Sequence, residues 1–161
     1  MELHEELESL LRLFEKHQVD YALCGGLAVM IHGYVRATQD IDVLLRKENL
    51  EQVRVIVKEC GFAATSGKLP FKVGTPQEQE VHRILKNENS QVLMLDLVVV
   101  TPVLEDVWAS REIFEWQGLK IKVVSREGLA KMKRLAGRRI DLADLENLGF
   151  LTEADENADN P

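Results

Sequence analysis

Apolar residues recur along the chain at two spacings, which separate helices from strands. Near the start they recur every three or four residues, with glutamates between them, at Leu3, Leu7, Leu10 and Phe14. This spacing predicts an amphipathic helix over about residues 2–17. Residues 27–32 and 50–60 are predicted as further helices, each followed by a glycine that ends it.

Shorter apolar runs bounded by turn residues predict strands. The predicted strands cover residues 19–24, 36–45, 81–85, 91–100, 112–116 and 119–124. The polar stretch at residues 87–90 predicts a tight turn between two of them, and Gln117-Gly118 predicts a second hairpin. Residues 62–74 contain two glycines and a proline and are predicted to form a loop.

The C-terminal part is predicted to be helical. Ser125 is a predicted N-cap, and a leucine-rich stripe continues to Gly149. Mixed helices and hairpins, without regular strand–helix–strand repeats, predict an α+β fold in which helices pack against a mixed sheet. We expect a core over residues 1–124, packed helices over 125–150, and an acidic, disordered tail over 151–161.

Composition and charge narrow the class of function. The chain has 161 residues, of which 45% are hydrophobic and 29% charged, as in a globular protein. The net charge of −7 argues against broad, non-specific binding of DNA. No apolar run is long enough to cross a membrane, and the acidic start does not resemble a secretory signal, so we expect a cytoplasmic protein. Cys24 and Cys60 form no metal-binding or disulfide pattern and are predicted to be small packing residues.

The chemistry is predicted to lie on the strand that contains Asp40 and Asp42. Side chains two residues apart on a strand share a face, so these carboxylates project together while Ile41 points into the core. Two like charges held so close repel each other unless a positive group lies between them. A divalent cation with oxygen ligands is the simplest such group.

A third acid interrupts a later apolar run. Asp96 lies within Val92–Val100, where an unpartnered carboxylate is costly to bury. Taken singly, the paired acids fit a solvated turn, the glycine pair fits an ordinary turn, and Asp96 fits a water-facing strand position. Because all three occur in this order, the sequence favours a metal site for phosphoryl chemistry.

These motifs resemble the minimal nucleotidyltransferases of the polymerase-β superfamily. The resemblance is carried by Gly25-Gly26, by the segment Arg36-x-Thr38-x-Asp40-Ile41-Asp42 and by Leu95-Asp96-Leu97. A C-terminal motif from Lys133 to Leu145 adds similarity to nucleotidyltransferase toxins of the abortive-infection type and their bacterial relatives. One position departs from the common pattern, because Leu27 stands where many members have a phosphate-binding serine.

The resemblance implies a reaction and a role for each motif residue. Asp40, Asp42 and Asp96 are implied to hold two Mg²⁺ ions, with Mn²⁺ as an alternative, and Asp96 to accept the proton of the attacking hydroxyl. The implied ligands of the nucleotide phosphates are Gly25, Gly26, Arg36, Thr38 and Lys133. The implied reaction transfers a nucleoside monophosphate from an NTP to a hydroxyl and releases pyrophosphate.

The acceptor stays open at this point. A tRNA end, a protein side chain and a small molecule are all compatible with the motifs, and the toxin resemblance suggests a partner antitoxin or a homodimer. The alternatives are an antibiotic nucleotidyltransferase of the lincosamide or aminoglycoside type and a degenerate module that binds nucleotide without turnover.

Overall fold

The structure, a computed structural model, describes residues 1–34, 37–71, 74–76, 78–137 and 139–150, with the backbone alone at residues 70, 71, 139 and 140. The helices in this part of the chain are α1 Leu3–Lys16, α2 Gly25–Ile31, α3 Leu50–Ile56, α4 Glu105–Ala109, α5 Arg126–Ala136 and α6 Arg139–Leu148, with single 3₁₀ turns at Lys47–Asn49, Val57–Cys60 and Pro102–Leu104. The strands are β1 Ala22–Cys24, β2 Asp40–Leu45, β3 Ala64–Phe71, β4 Gln79–Glu88, β5 Gln91–Val99, β6 Glu112–Trp116 and β7 Leu119–Val123.

The seven strands form one mixed sheet in the order β3-β4-β5-β2-β1-β7-β6. The pairs β2/β5 and β1/β7 are parallel, and the other neighbouring strands are antiparallel. Helices pack against this sheet, so the predicted α+β class is confirmed.

The alternation along β2 shows how the sheet separates core from chemistry. Ile41, Val43 and Leu45 are fully buried in the larger apolar cluster, which α1 and α3 also join. On the opposite face, Leu44 belongs to a second cluster that includes residues of α4. Asp40 and Asp42 project from this second face, because they alternate with the core residues.

The predicted loop over residues 62–74 is wrong, because β3 runs through it from Ala64 to Phe71. β3 lies at the edge of the sheet, where a proline is tolerated although it has no N–H to donate to a neighbouring strand. Its pairing with β4 shifts register between Thr65 and Gly67, as at a β-bulge. Most of its described side chains are exposed. Its sequence therefore does not need to alternate between apolar and polar residues, and it does not give the pattern that predicts a strand.

Other boundaries also differ from the prediction. β2 begins at Asp40 and not at residue 36; residues 35 and 36 lie outside the described part of the chain. The C-terminal stripe is divided between two helices, because Gly137 takes a left-handed conformation with φ of 68° after α5. The N-cap is confirmed: Ser125 Oγ accepts a hydrogen bond from Gly128 N at 3.0 Å.

Both predicted hairpins are present. Asn89 and Ser90 connect β4 to β5, and Gln117 and Gly118 connect β6 to β7, with positive φ at all four residues. No helix in the described segments is long and apolar enough to span a membrane. The tail predicted over residues 151–161 lies outside the described residues, and the domain boundaries stay a prediction.

Candidate active site

Strand register brings the three predicted acids to one place. β2 and β5 run side by side with Asp42 opposite Asp96, and Asp40 lies two residues earlier on the same face. All three line one cavity of about 350 Å³ on the second face of the sheet. The carboxylates are thus adjacent, as the motif spacing predicted, and their chemical roles stay predictions.

The glycine pair approaches this cluster closely. β1 pairs with β2 so that Cys24 lies opposite Asp42, and Gly25 follows with φ of 65°. A Cβ atom at Gly25 would lie 2.1 Å from Asp42 Oδ2, so only glycine fits beside this carboxylate. Gly26 also lines the cavity. The tight turn therefore places backbone against the acid cluster, the arrangement that a phosphate-binding turn requires.

The cavity also contains an arginine that the sequence motifs did not indicate. β4 and β5 pair with Arg83 opposite Asp96. Arg83 Nε donates to Asp96 Oδ1 at 2.8 Å and Arg83 Nη2 donates to Asp96 Oδ2 at 2.9 Å, which is a bidentate ion pair. Only the exact turn position could have indicated this pair, because a turn at Asn89-Ser90, and not one over the predicted residues 87–90, places residues 83 and 96 opposite each other.

Lys133 reaches the same cavity from α5, on the side opposite the strands. Its ammonium lies 3.4 Å from Asp141 Oδ1 and 3.2 Å from Asp144 Oδ2, both on α6. All three side chains are buried. A phosphate group bound by Lys133 would have to share the ammonium with these carboxylates, which the sequence did not reveal.

The remaining predicted phosphate ligands have different outcomes. Thr38 lines the cavity, and its hydroxyl lies 3.5 Å from the carbonyl oxygen of Asp40, a long and weak contact. Arg36 lies outside the described residues. Leu27, the departure from the common serine, is buried in the larger core cluster, so it presents no polar group to the cavity.

The pKa values of two groups beside the acids are raised, one by hydrogen bonding and one by burial. Hydrogen bonding to Asp96 raises the pKa of Arg83, and the nearby charges of Asp40 and Asp42 act in the same direction. Burial raises the pKa of the Cys24 thiol well above its usual value, and the Asp42 charge adds to this effect. Cys24 is therefore a neutral packing residue, as predicted, and not a thiolate nucleophile.

The donor atoms fit a hard divalent cation in part. Asp40 and Asp42 offer carboxylate oxygens from one strand face, the ligand type that Mg²⁺ prefers. Asp96 has both oxygens bonded to Arg83. Within the described ranges, no group of three or more Asp, Glu, His and Cys side chains is arranged to hold a metal ion. The two-ion site implied by the sequence motifs therefore stays a prediction.

Comparison with known proteins identifies the family and the fold. A family model described as aminoglycoside-2''-adenylyltransferase matches residues 6–148. No curated protein is significantly similar in sequence.

Solved structures show the same fold at low sequence identity. A candidate nucleotidyltransferase from Thermotoga maritima is 19% identical, with a TM-score of 0.60 over 91% of this chain and 93% of that one. ANT(2")-Ia in complex with adenylyl-2"-tobramycin is 12% identical, with a TM-score of 0.60 over 94% and 91% of the two chains. The solution structure of the antibiotic-resistance factor ANT(2'')-Ia gives a TM-score of 0.61 at 12% identity, over 96% and 87%. The resemblance to nucleotidyltransferases is thus confirmed at the level of the fold. These comparisons leave the toxin role untested.

Proposed function

The chain belongs to the aminoglycoside-2''-adenylyltransferase family, and on that premise we propose that it transfers a nucleoside monophosphate from an NTP to a hydroxyl of a small, cationic acceptor. The acceptor oxygen would form a bond to the α-phosphorus while the bond to the β-phosphate oxygen breaks and pyrophosphate leaves. The observation that carries this proposal is the convergence of Asp40, Asp42 and Asp96 in one cavity.

Each residue has a proposed task in that reaction. Asp40 and Asp42 would hold Mg²⁺, which when bound would neutralise the polyphosphate and stabilise the leaving pyrophosphate. Asp96 would accept the proton of the acceptor hydroxyl. Gly25 and Gly26 would admit the phosphates close to the backbone N–H groups.

The charge of the cavity supports a cationic acceptor. Among the described residues, four aspartates line the cavity, and the two basic side chains that line it, Arg83 and Lys133, are both paired with aspartates. An acceptor with several ammonium groups, such as an aminoglycoside, would be attracted to this surface. Bound Mg²⁺ would neutralise the phosphates of the NTP, but the additional phosphates along a tRNA acceptor would still be repelled by this acidic surface. We therefore favour the small molecule over the tRNA and protein acceptors that the sequence left open.

A transfer assay tests this proposal. Purified protein is incubated with Mg²⁺, each of four α-labelled NTPs and a panel of aminoglycosides, and products are identified by chromatography and mass spectrometry. We expect an acceptor that gains one nucleoside monophosphate, with release of pyrophosphate. Asp42→Asn should reduce the rate by more than about a hundredfold, since it removes a direct ligand and not an outer one. Asp106→Asn, an exposed acid on α4, is the matched control and should keep full activity.

The other outcomes separate the alternatives. Undiminished transfer by Asp42→Asn would overturn the assignment of the acids. Label found on tRNA or protein, and not on aminoglycosides, would overturn the proposed small-molecule acceptor and favour the macromolecular acceptor expected of a toxin. Binding of nucleotide in calorimetry, without transfer to any acceptor, would indicate a module without turnover.

A further inference from the structure

The ion pair between Arg83 and Asp96 engages both oxygens of the carboxylate. One guanidinium nitrogen bonds each oxygen, at 2.8 and 2.9 Å. Each oxygen keeps a second lone pair, but the guanidinium charge opposes the approach of another cation or of a hydroxyl proton to this carboxylate. The proposed proton acceptor is thus engaged in this structure.

The two partners differ in exposure. The Arg83 side chain is 30% exposed, whereas the Asp96 side chain is 9% exposed. Arg83 lines the cavity from β4 and is absent from both apolar core clusters, so its guanidinium has a route to water that the Asp96 carboxylate lacks. Asp96 lies on β5, an interior strand that is paired with β4 on one side and β2 on the other, so its backbone is held independently of the Arg83 side chain.

The second cation of the cavity is held differently. Lys133 is buried and lies between two carboxylates of α6, so its movement would disturb the contact between two helices. Arg83 is therefore the cation that can exchange, and the acid it covers is the one adjacent to Asp42.

We propose that Arg83 is a reversible lock on Asp96: while the bidentate pair is closed, a divalent cation can use only Asp40 and Asp42, and opening of the pair makes Asp96 available. This inference rests on the proposed function, since it concerns the same acids. Arg83 is in this view a positioning residue, because it acts through Asp96.

Binding of Mn²⁺ without nucleotide or acceptor tests the lock. Titration calorimetry at low ionic strength gives the dissociation constant for wild type, Arg83→Gln, Asp96→Asn and the double variant. Arg83→Gln should tighten Mn²⁺ binding by at least about tenfold, because it removes a competing charge and frees a third carboxylate. In the Asp96→Asn background the same change should give less than about threefold, because no third carboxylate is present to free.

Two further variants keep the test interpretable. Arg12→Gln removes the same charge from an exposed pair on α1 and should leave Mn²⁺ affinity within about twofold. Arg83→Lys keeps the charge but has no planar fork to cover both oxygens, so its affinity should lie between wild type and Arg83→Gln. If Arg83→Gln does not fold, as judged by its melting curve, Arg83→Lys replaces it in the same two backgrounds.

The possible results point in distinct directions. An equal gain with and without Asp96 would show a general charge effect and overturn the lock, as would no gain at all. The transfer assay is independent of this measurement. If wild-type protein transfers no nucleotide but Arg83→Gln tightens Mn²⁺ binding only when Asp96 is present, the proposed function is overturned and the lock is kept.

Discussion

Two ion-paired clusters face the same cavity from opposite sides, and they differ in how far water reaches them. On the sheet side, Arg83 and Asp96 form a one-to-one pair whose cation is 30% exposed. On the helix side, Lys133 is 6% exposed and lies between the carboxylates of Asp141 and Asp144. Both clusters therefore pair a cation with aspartates, but only the cation of the sheet-side cluster is open to water. The exposed guanidinium of the first pair can exchange for another cation at the buried Asp96 carboxylate, whereas the second cluster cannot lose its cation without leaving two buried carboxylates poorly solvated.

Substitution of Lys133 tests the buried side and should have the largest effect on stability. Lys133→Met keeps the length of the side chain but removes the ammonium that faces both buried carboxylates. We expect a loss of about 3–5 kcal/mol in the free energy of unfolding, typical of breaking a buried ion pair. Urea denaturation followed by circular dichroism measures it.

The matched control lies two residues away on the same helix. Lys131 pairs with Asp106 at an exposed position, and Lys131→Met should cost less than about 1 kcal/mol. Equal losses for the two lysines would show that burial does not distinguish the clusters, and the comparison would fail.

Gly25 tests the sheet side through the backbone. A Cβ in Gly25→Ala would overlap Asp42 Oδ2, and the positive φ adds strain. We expect a loss of about 2–3 kcal/mol in the free energy of unfolding, from strain and overpacking together. Nucleotidyl transfer should fall as well, since Asp42 must move. Thermal and urea unfolding, with the transfer assay, measure both effects.

Gly118→Ala separates the two causes. Gly118 also has positive φ, at 74°, but nothing lies within 4 Å of the position that an added Cβ would take. The substitution should cost only the conformational part, about 1 kcal/mol, and leave transfer unchanged. A loss at Gly25 no larger than at Gly118 would mean that the close approach to Asp42 does not constrain the site.

The sheet side could be predicted from sequence to a large extent. Asp40 and Asp42 alternate with apolar residues on β2, so strand geometry alone places them on one face, and Asp96 is conspicuous as the acid within the apolar run of β5. The pairing of Arg83 with Asp96 depends on the exact turn: the observed turn at residues 89–90 places them opposite each other, whereas a turn over the predicted residues 87–90 would place residue 83 opposite residue 94. The motifs did not indicate it, because none of them covers β4, the strand that carries Arg83.

The helix side could not be predicted in the same way. On a continuous helix, Lys133 and Asp141 would be separated by about 12 Å along the axis, too far for an ion pair. They meet because α5 ends at Gly137 and α6 packs against α5, and a glycine in a helical pattern does not by itself specify the direction of the next helix. The edge strand β3 was missed for a related reason: its exposed side chains give no periodic signal.

Removal of the carboxylate at Asp96 completes the comparison and should have the smallest effect on stability. In Asp96→Asn the amide oxygen can still accept one hydrogen bond from Arg83, and the guanidinium, being 30% exposed, regains water for the other donor. We expect a loss of no more than about 1 kcal/mol in the free energy of unfolding. Urea denaturation alongside Lys133→Met measures the contrast directly. A loss as large as that of Lys133→Met would show that the pair on the sheet side is a fixed structural element, and a lock that opens at low cost could not be built on it.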